Sequence, residues 1–245
     1  GEQNRPIGGA PAVSLSFDRG LEWMPAGKTI DRLLRLSVQS FSTSARTYKL
    51  RVIAPKGITV DSAARSVSLE PMESRELFLR IRGALAEGRY EFGVVAEGEM
   101  GRYIEGFRTI EYPHIRPIRL YRSSALWLQS VQITVPAGMQ VGYIPGVGDL
   151  SAPGLRQLGV PVTVVTPQEL PLVDLSHFTT VIVGPRAYQA STELRAENRR
   201  LLDYVKEGGT MLVQYGQQEM ALPGLMPYPI SLARPAQRVT LEEAP

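Results

Sequence analysis

From Val13 to Val94 apolar and polar residues alternate. Val13, Leu15 and Phe17 stand two apart with serines between them, and Leu34, Leu36 and Val38 repeat the spacing. Leu50 and Val52, Val67 and Leu69, then Leu77, Leu79 and Ile81, then Tyr90, Phe92 and Val94 continue it. A period of two marks a strand with one face buried and the other wet. Pro25-Ala26-Gly27, Pro55-Lys56-Gly57, Glu87-Gly88 and Met100-Gly101 fall between these runs and read as turns. Short strands at this spacing predict a β-sandwich of immunoglobulin type, without the Cys…Trp…Cys pattern of antibody domains. Val131, Ile133 and Val135 supply one more alternating strand. The two prolines of Tyr112-Pro113-His114-Ile115-Arg116-Pro117 make that segment an extended connection within or along the sandwich.

A second texture begins near residue 138. Val141-Gly142-Tyr143-Ile144 is a continuous apolar run, and Pro145-Gly146-Val147-Gly148-Asp149 follows it. The spacing then predicts a helix from Ser151, as N-cap, to Leu158, with Pro153 in its first turn and Gly159 ending it. Pro161 to Val165 and Val181-Ile182-Val183 read as further strands. From Ser191 to Glu207 the residues Leu194, Leu201, Leu202 and Val205 form one helical stripe, closed by Gly208-Gly209, and Met211-Leu212-Val213 begins another strand. Continuous apolar strands alternating with helices predict an α/β three-layer domain with a mainly parallel sheet, flavodoxin- or amidotransferase-like. The expected division is therefore a sandwich over 1–136 and an α/β domain over 137–245. The Pro-rich, aperiodic tail after Pro223 reads as that domain cut short at its C-terminus.

Composition narrows the functional classes. The chain has 245 residues, room for two ordinary domains, and no apolar run approaches the length of a membrane span. Cysteine is absent, which removes disulfides, thiolate metal sites and a thiol nucleophile. The net charge of +3 comes from lysines at 28, 49, 56 and 206 and from scattered arginines without a cluster, so no nucleic-acid-binding face is expected. Of the compartments, a secreted or periplasmic one is favoured over the cytoplasm.

Candidate chemistry is sparse. The two histidines, His114 and His177, lie far apart in sequence with no His-Glu-x-x-His around either, so no metal site is assigned. His114 reads as a packed loop residue and His177 as an exposed turn residue before a strand. No Gly-x-Ser-x-Gly elbow is present, and the turn after Val183 reads Gly184-Pro185-Arg186-Ala187-Tyr188, with no usual nucleophile. No catalytic residue is assigned. The glycine-rich loop after Ile144 lacks the third glycine of a dinucleotide fingerprint and the Gly-Lys-Ser/Thr of a phosphate loop. Two readings stand for it: a tight strand-to-helix turn, or one wall of a polar-ligand crevice at the carboxyl ends of the strands. In the second, Gly146, Gly148, Asp149, Arg186, Tyr188 and Gln214 line the crevice, Asp149 accepting from hydroxyls while Arg186 and Tyr188 supply a donor fork and a flat face. In the first, Asp149 and Arg186 pair and lock two loops together. Trp23 and Trp127 are isolated, and Trp127 within Leu126-Trp127-Leu128 reads as core.

Several segments carry a resemblance. Val141 to Asp149 followed by Leu155-Arg156-Gln157-Leu158-Gly159-Val160, then Val183 to Tyr188, then Leu201 to Thr210, resemble the C-terminal accessory region of long bacterial PIG-L (LmbE-like) deacetylases, and Tyr112-Pro113-His114-Ile115 looks like that family's linker. The resemblance covers about residues 110–245 well and the sandwich loosely. It implies a zinc-dependent N-acetylglucosaminyl deacetylase domain elsewhere in a longer parent, an immunoglobulin-like sandwich associated with sugar-binding modules, and a last domain like a class I glutamine amidotransferase without its nucleophile. The family's Ala-His-Pro-Asp-Asp-Glu type metal motif is absent here, so zinc is expected only in the missing deacetylase domain and this chain carries no cofactor. The expected role is a non-catalytic accessory module whose partners are the parent's deacetylase domain and a carbohydrate. Two alternatives are a stand-alone hydrolase or transferase using Asp149, Arg186 and His177, and a structural or oligomerisation module.

Overall fold

A computed structural model describes residues 11–61, 64–112 and 114–233. The chain divides into two compact units, Gly1–Ile133 and Thr134–Pro245.

The first unit is a β-sandwich. One sheet has the order β1 (Val13–Phe17), β3 (Ile30–Ser40), β7 (Ser74–Gly83), β5 (Ile58–Val60), all antiparallel. The other has the order β2 (Leu21–Pro25), β12 (Ala125–Val131), β8 (Gly88–Gly98), β4 (Arg46–Ile53), β6 (Ala64–Leu69), with β9 (Gly101–Tyr103) folded back on β8. Only the pairing of β2 with β12 is parallel among these strands. The alternation seen in the sequence sets the inner faces. Leu15, Leu34, Leu36, Leu77, Leu79 and Ile81 of the first sheet pack in one core with Leu50, Val67, Leu69, Phe92, Val94, Leu126 and Leu128 of the second. Each of these side chains contributes roughly 1.5–3 kcal/mol by leaving water.

Four expectations fail in this unit. The described residues of the Tyr112–Pro117 segment are not an extended connection along the sandwich. They belong to a hairpin, β10 (Glu105–Tyr112) with β11 (Ile115–Ser123), which forms a separate two-stranded sheet. The Phe107 amide donates to Ser14 Oγ at 3.2 Å and holds the hairpin against β1. His114 is exposed at the tip, stacked on Tyr112 with ring centroids 6.1 Å apart, and is not packed in a loop. The last strand of the sandwich is Ala125–Val131, so Ile133 and Val135 lie beyond it. Within that strand Leu126 and Leu128 point inward and Trp127 outward. Trp127 is 39% exposed with the Arg89 guanidinium 4.1 Å from its ring centre, so it is not core.

In the second unit four short strands pair in parallel in the order β14 (Val162–Val164), β13 (Val141–Ile144), β15 (Thr180–Val183), β16 (Thr210–Val213). Ile144, Val181 and Val183 pack with α2 (Ala187–Ala190), α3 (Thr192–Ala196) and α4 (Asn198–Lys206) through Tyr188, Leu194, Leu201 and Tyr204. Val141, Tyr143 and Ile182 pack with Ala152 and Leu155 of α1 (Ser151–Gln157). The single helix expected over Ser191–Glu207 is two. Leu194 and Leu201 are seven residues apart, a spacing that one helix or two can both satisfy, and the break falls at Glu197. Ser191 caps α3, its Oγ accepting from the Leu194 amide at 3.1 Å. Ser151, expected as N-cap, is instead the first helical residue of α1.

Candidate functional site

The loops after β13 and β15 meet at the carboxyl ends of the strands. Their contact is backbone against backbone. The Val147 amide donates to the Pro185 carbonyl at 2.9 Å, and the Gly184 amide to that of Ile144 at 2.8 Å. A Cβ on Gly146 would collide with the Pro185 backbone, and one on Gly184 with the Gly146 backbone. Gly146 therefore serves the crossing of two loops. Gly148 is glycine for another reason: its φ is +64° with open space around it.

Asp149 is the centre of a local network. Its Oδ1 accepts from Tyr143 OH at 2.5 Å and from the Ser151 amide at 3.0 Å, and its Oδ2 accepts from the Gly146 amide at 3.2 Å. Burial pushes this carboxyl up, but the Tyr143 hydroxyl and the two amides outweigh burial and hold it below the usual carboxylate range. The same contacts push the Tyr143 hydroxyl up to about 12, burial first and the Asp149 hydrogen bond second. Gln214, after β16, extends the network: its Nε2 donates to Ser151 Oγ at 3.4 Å and its Oε1 lies 3.4 Å from Tyr143 OH. Beside it opens a cleft of about 290 Å³, lined by Tyr143, Gly146, Gly148, Asp149, Arg156 and Val164 among others.

The six residues expected to line a crevice are thus only partly gathered. Gly146, Gly148 and Asp149 border the cleft, and Gln214 joins them through Ser151 and Tyr143. Arg186 sits on the neighbouring loop in the left-handed conformation, φ 56°, with its amide on the Tyr215 carbonyl at 2.7 Å and its Nε on Gln189 Oε1 at 2.7 Å. Asp149 fastens its own loop, while Arg186 binds Gln189 and the segment after β16, so the expected pairing of the two is not what holds the loops. Tyr188 is a correction. It is 1% exposed, its hydroxyl donates to Asn198 Oδ1 at 2.7 Å, and burial pushes that hydroxyl up, so it offers no face to a ligand. His177 also falls outside the site. It lies in a 3₁₀ turn, Leu175–His177, that precedes β15, at the opposite end of the strands from Asp149 and Arg186, with Nδ1 3.1 Å from Asp174. The alternative that joined His177 to Asp149 and Arg186 in catalysis loses its geometry. Tyr143, Ser151 and Arg156 were missed: they sit inside a strand and a helix, where the sequence signals only packing.

A second concavity, of about 260 Å³, opens at the end of the sandwich, where Arg46, Tyr48, Glu70, Glu99 and Tyr103 converge. Among the described residues no group of three or more His, Asp or Glu side chains is placed to hold a metal ion, and no helix is long and apolar enough to cross a membrane.

No family model matches the chain, and no curated protein matches it. Solved structures similar to it include Escherichia coli alpha-2-macroglobulin in its native conformation, 16% identical over 49% of this chain, with a TM-score of 0.34. The match spans 7% of that protein. Others are the PapD-like domain 7 of human CEP192, 14% identical, covering 55% of this chain and 96% of that one at a TM-score of 0.28, and WR4, a Caenorhabditis elegans MSP family member, 13% identical, covering 50% and 100% at 0.27.

Proposed function

We propose that this chain is a non-catalytic accessory module of a PIG-L type N-acetylglucosaminyl deacetylase, an immunoglobulin-like sandwich followed by an amidotransferase-like domain without its nucleophile. Its task is to position or bind a carbohydrate, or to seat the parent's catalytic domain, in a secreted or periplasmic protein. The observation that carries the reading is the turn after β15. An amidotransferase or hydrolase of this strand order places its nucleophile on the strained strand-to-helix turn at that point. Here the strained residue is Arg186, a guanidinium that donates to Gln189 and attacks nothing. The carboxylate of the neighbouring loop, Asp149, accepts from Tyr143 of β13 and from the Gly146 and Ser151 amides.

Deletion of this region from the full-length parent tests the reading. The expected result is an unchanged kcat on a small soluble N-acetylglucosamine derivative and a raised KM on the polymeric glycan. A deletion that abolishes kcat on the small derivative while the remaining domain stays folded refutes an accessory role, as does a parent with no deacetylase domain.

A further inference from the structure

The concavity at the end of the sandwich is built from two antiparallel strand pairs. From β4 and β6 come Arg46, which lies opposite Leu69, and Glu70, which follows the end of β6. From β8 and β9 come Glu99 and Met100, in the turn between them, and Tyr103. Its buried wall is fixed by packing. Tyr48 is 2% exposed, and its ring lies on Gly98, where a Cβ would stand 2.9 Å from it. Tyr103 packs edge-on against the same ring, with centroids 5.9 Å apart. Burial pushes the Tyr48 hydroxyl up, and Tyr103 beside it acts in the same direction, so that hydroxyl is neutral.

The polar groups around the cavity are of both kinds, and several are unspent. Arg46 directs Nε to Ser42 Oγ at 2.9 Å. Its Nη1 lies 3.7 Å from Glu99, an ion-pair distance longer than a hydrogen bond. Among the described residues, the Glu70 carboxylate and the Tyr103 hydroxyl make no hydrogen bond or ion pair. Thr47 Oγ1 and Ser68 Oγ share one hydrogen bond of 2.8 Å, which leaves the second hydroxyl hydrogen and lone pairs on both.

This mixture selects against a charged ligand. A small anion meets Glu70 and Glu99, and a small cation meets Arg46. A neutral polyhydroxyl ligand meets neither repulsion, because each of its hydroxyls both accepts and donates. The tyrosine rings offer apolar surface to the C–H faces of a ring. The volume, about 260 Å³, stands at the small end for ligand pockets and suits one ring rather than a chain of them.

We propose that this cavity is a sugar subsite holding one neutral pyranose unit, with Arg46 and Tyr103 donating to its hydroxyls and Glu70 accepting from them. It lies wholly in the first unit, apart from the cleft beside Asp149. The expectation that the unit is N-acetylglucosamine rests on the accessory-module reading, while the pattern of donors and acceptors stands without it.

The test is an NMR titration of the 245-residue chain with four monosaccharides at matched ionic strength: glucose and N-acetylglucosamine, which are neutral, glucosamine as a cation and galacturonate as an anion. The expected result is a saturable shift of the Gly98, Glu99, Met100 and Gly101 amides by a neutral sugar, with a Kd on the order of 1 mM. Either charged sugar binds at least threefold more weakly. Glu70→Ala, which removes an exposed carboxylate, and Tyr103→Phe, which keeps the ring, each weaken binding about 3- to 10-fold. No saturable shift with any of the four overturns the proposal, as does a charged sugar that binds tightest, or a shift confined to Gly146 and Gly148. Should either variant fail to fold, the titration of the unsubstituted chain decides alone. The two readings fail separately. Glucose that binds where N-acetylglucosamine does not keeps the subsite and counts against a deacetylase parent. A chain that binds no sugar loses the subsite, and the accessory role stands if deletion still raises the parent's KM on the polymeric glycan.

Discussion

At the scale of single residues, the two glycines of the loop after β13 separate a steric requirement from a conformational one. Gly146→Ala drives a methyl into the Pro185 backbone, which has no flexible end to move aside, and is expected to cost about 2–3 kcal/mol. Gly148→Ala meets open space and pays only for the left-handed backbone, about 1–2 kcal/mol. Equilibrium unfolding of the two variants checks the order, and a larger loss at Gly148 would contradict the packed crossing. Asp149 makes a pH-dependent contribution with a definite sign. Its folded carboxyl lies below its unfolded value, so its contribution is complete above about pH 4 and is lost as pH falls through the folded value. The stability gap between the parent chain and Asp149→Asn should be widest at neutral pH and close in acid. A gap independent of pH would place the effect in shape rather than charge. The sequence pointed to this loop through its glycines and carboxylate. It did not reveal that their hydrogen bonds are consumed internally, because the partners are Tyr143, inside a strand, and two backbone amides.

Among the elements, alternation located most sandwich strands because each apolar residue on the odd or even parity faces one shared core. β2 escaped for a physical reason. Its parity is inverted in chemistry, with Glu22 turned inward and Leu21 outward, so a count of apolar positions sees no strand. The β10–β11 hairpin escaped because prolines weigh against a strand pair, and a two-stranded ribbon tolerates Pro117 within β11 as a central strand does not. In the second unit Asn198, the first residue of α4, is 4% exposed. Its Oδ1 accepts from Tyr188, and its Nδ2 donates to the carbonyls of Gly224 at 3.2 Å and Leu225 at 2.8 Å. Asn198→Leu leaves a buried hydroxyl and two carbonyls unpaired and should cost about 2–4 kcal/mol. Amide exchange of the 225 region should rise with it, and unaltered protection there would show that the tail is held by other contacts.

For the whole molecule, the two units have separate cores, one shared by both sheets of the sandwich and the others built on the parallel strands. A chain of residues 134–245 is expected to melt cooperatively by itself. A broad, non-cooperative melt of that piece, beside a single sharp transition of the complete chain, would show that it depends on the sandwich for its fold. That the turn after β15 carries Arg186 at its strained position was legible at once from the run Gly184-Pro185-Arg186. The place of Tyr188 was not, because it follows Arg186 by two residues and α2 rotates it into the core. The most direct measurement is acetate release from N-acetylglucosaminides by the purified 245-residue chain, with metal content determined on the same sample. The expected result is no release above the buffer rate and no stoichiometric zinc. One zinc per chain, with acetate release that stops on chelation, would contradict a non-catalytic role.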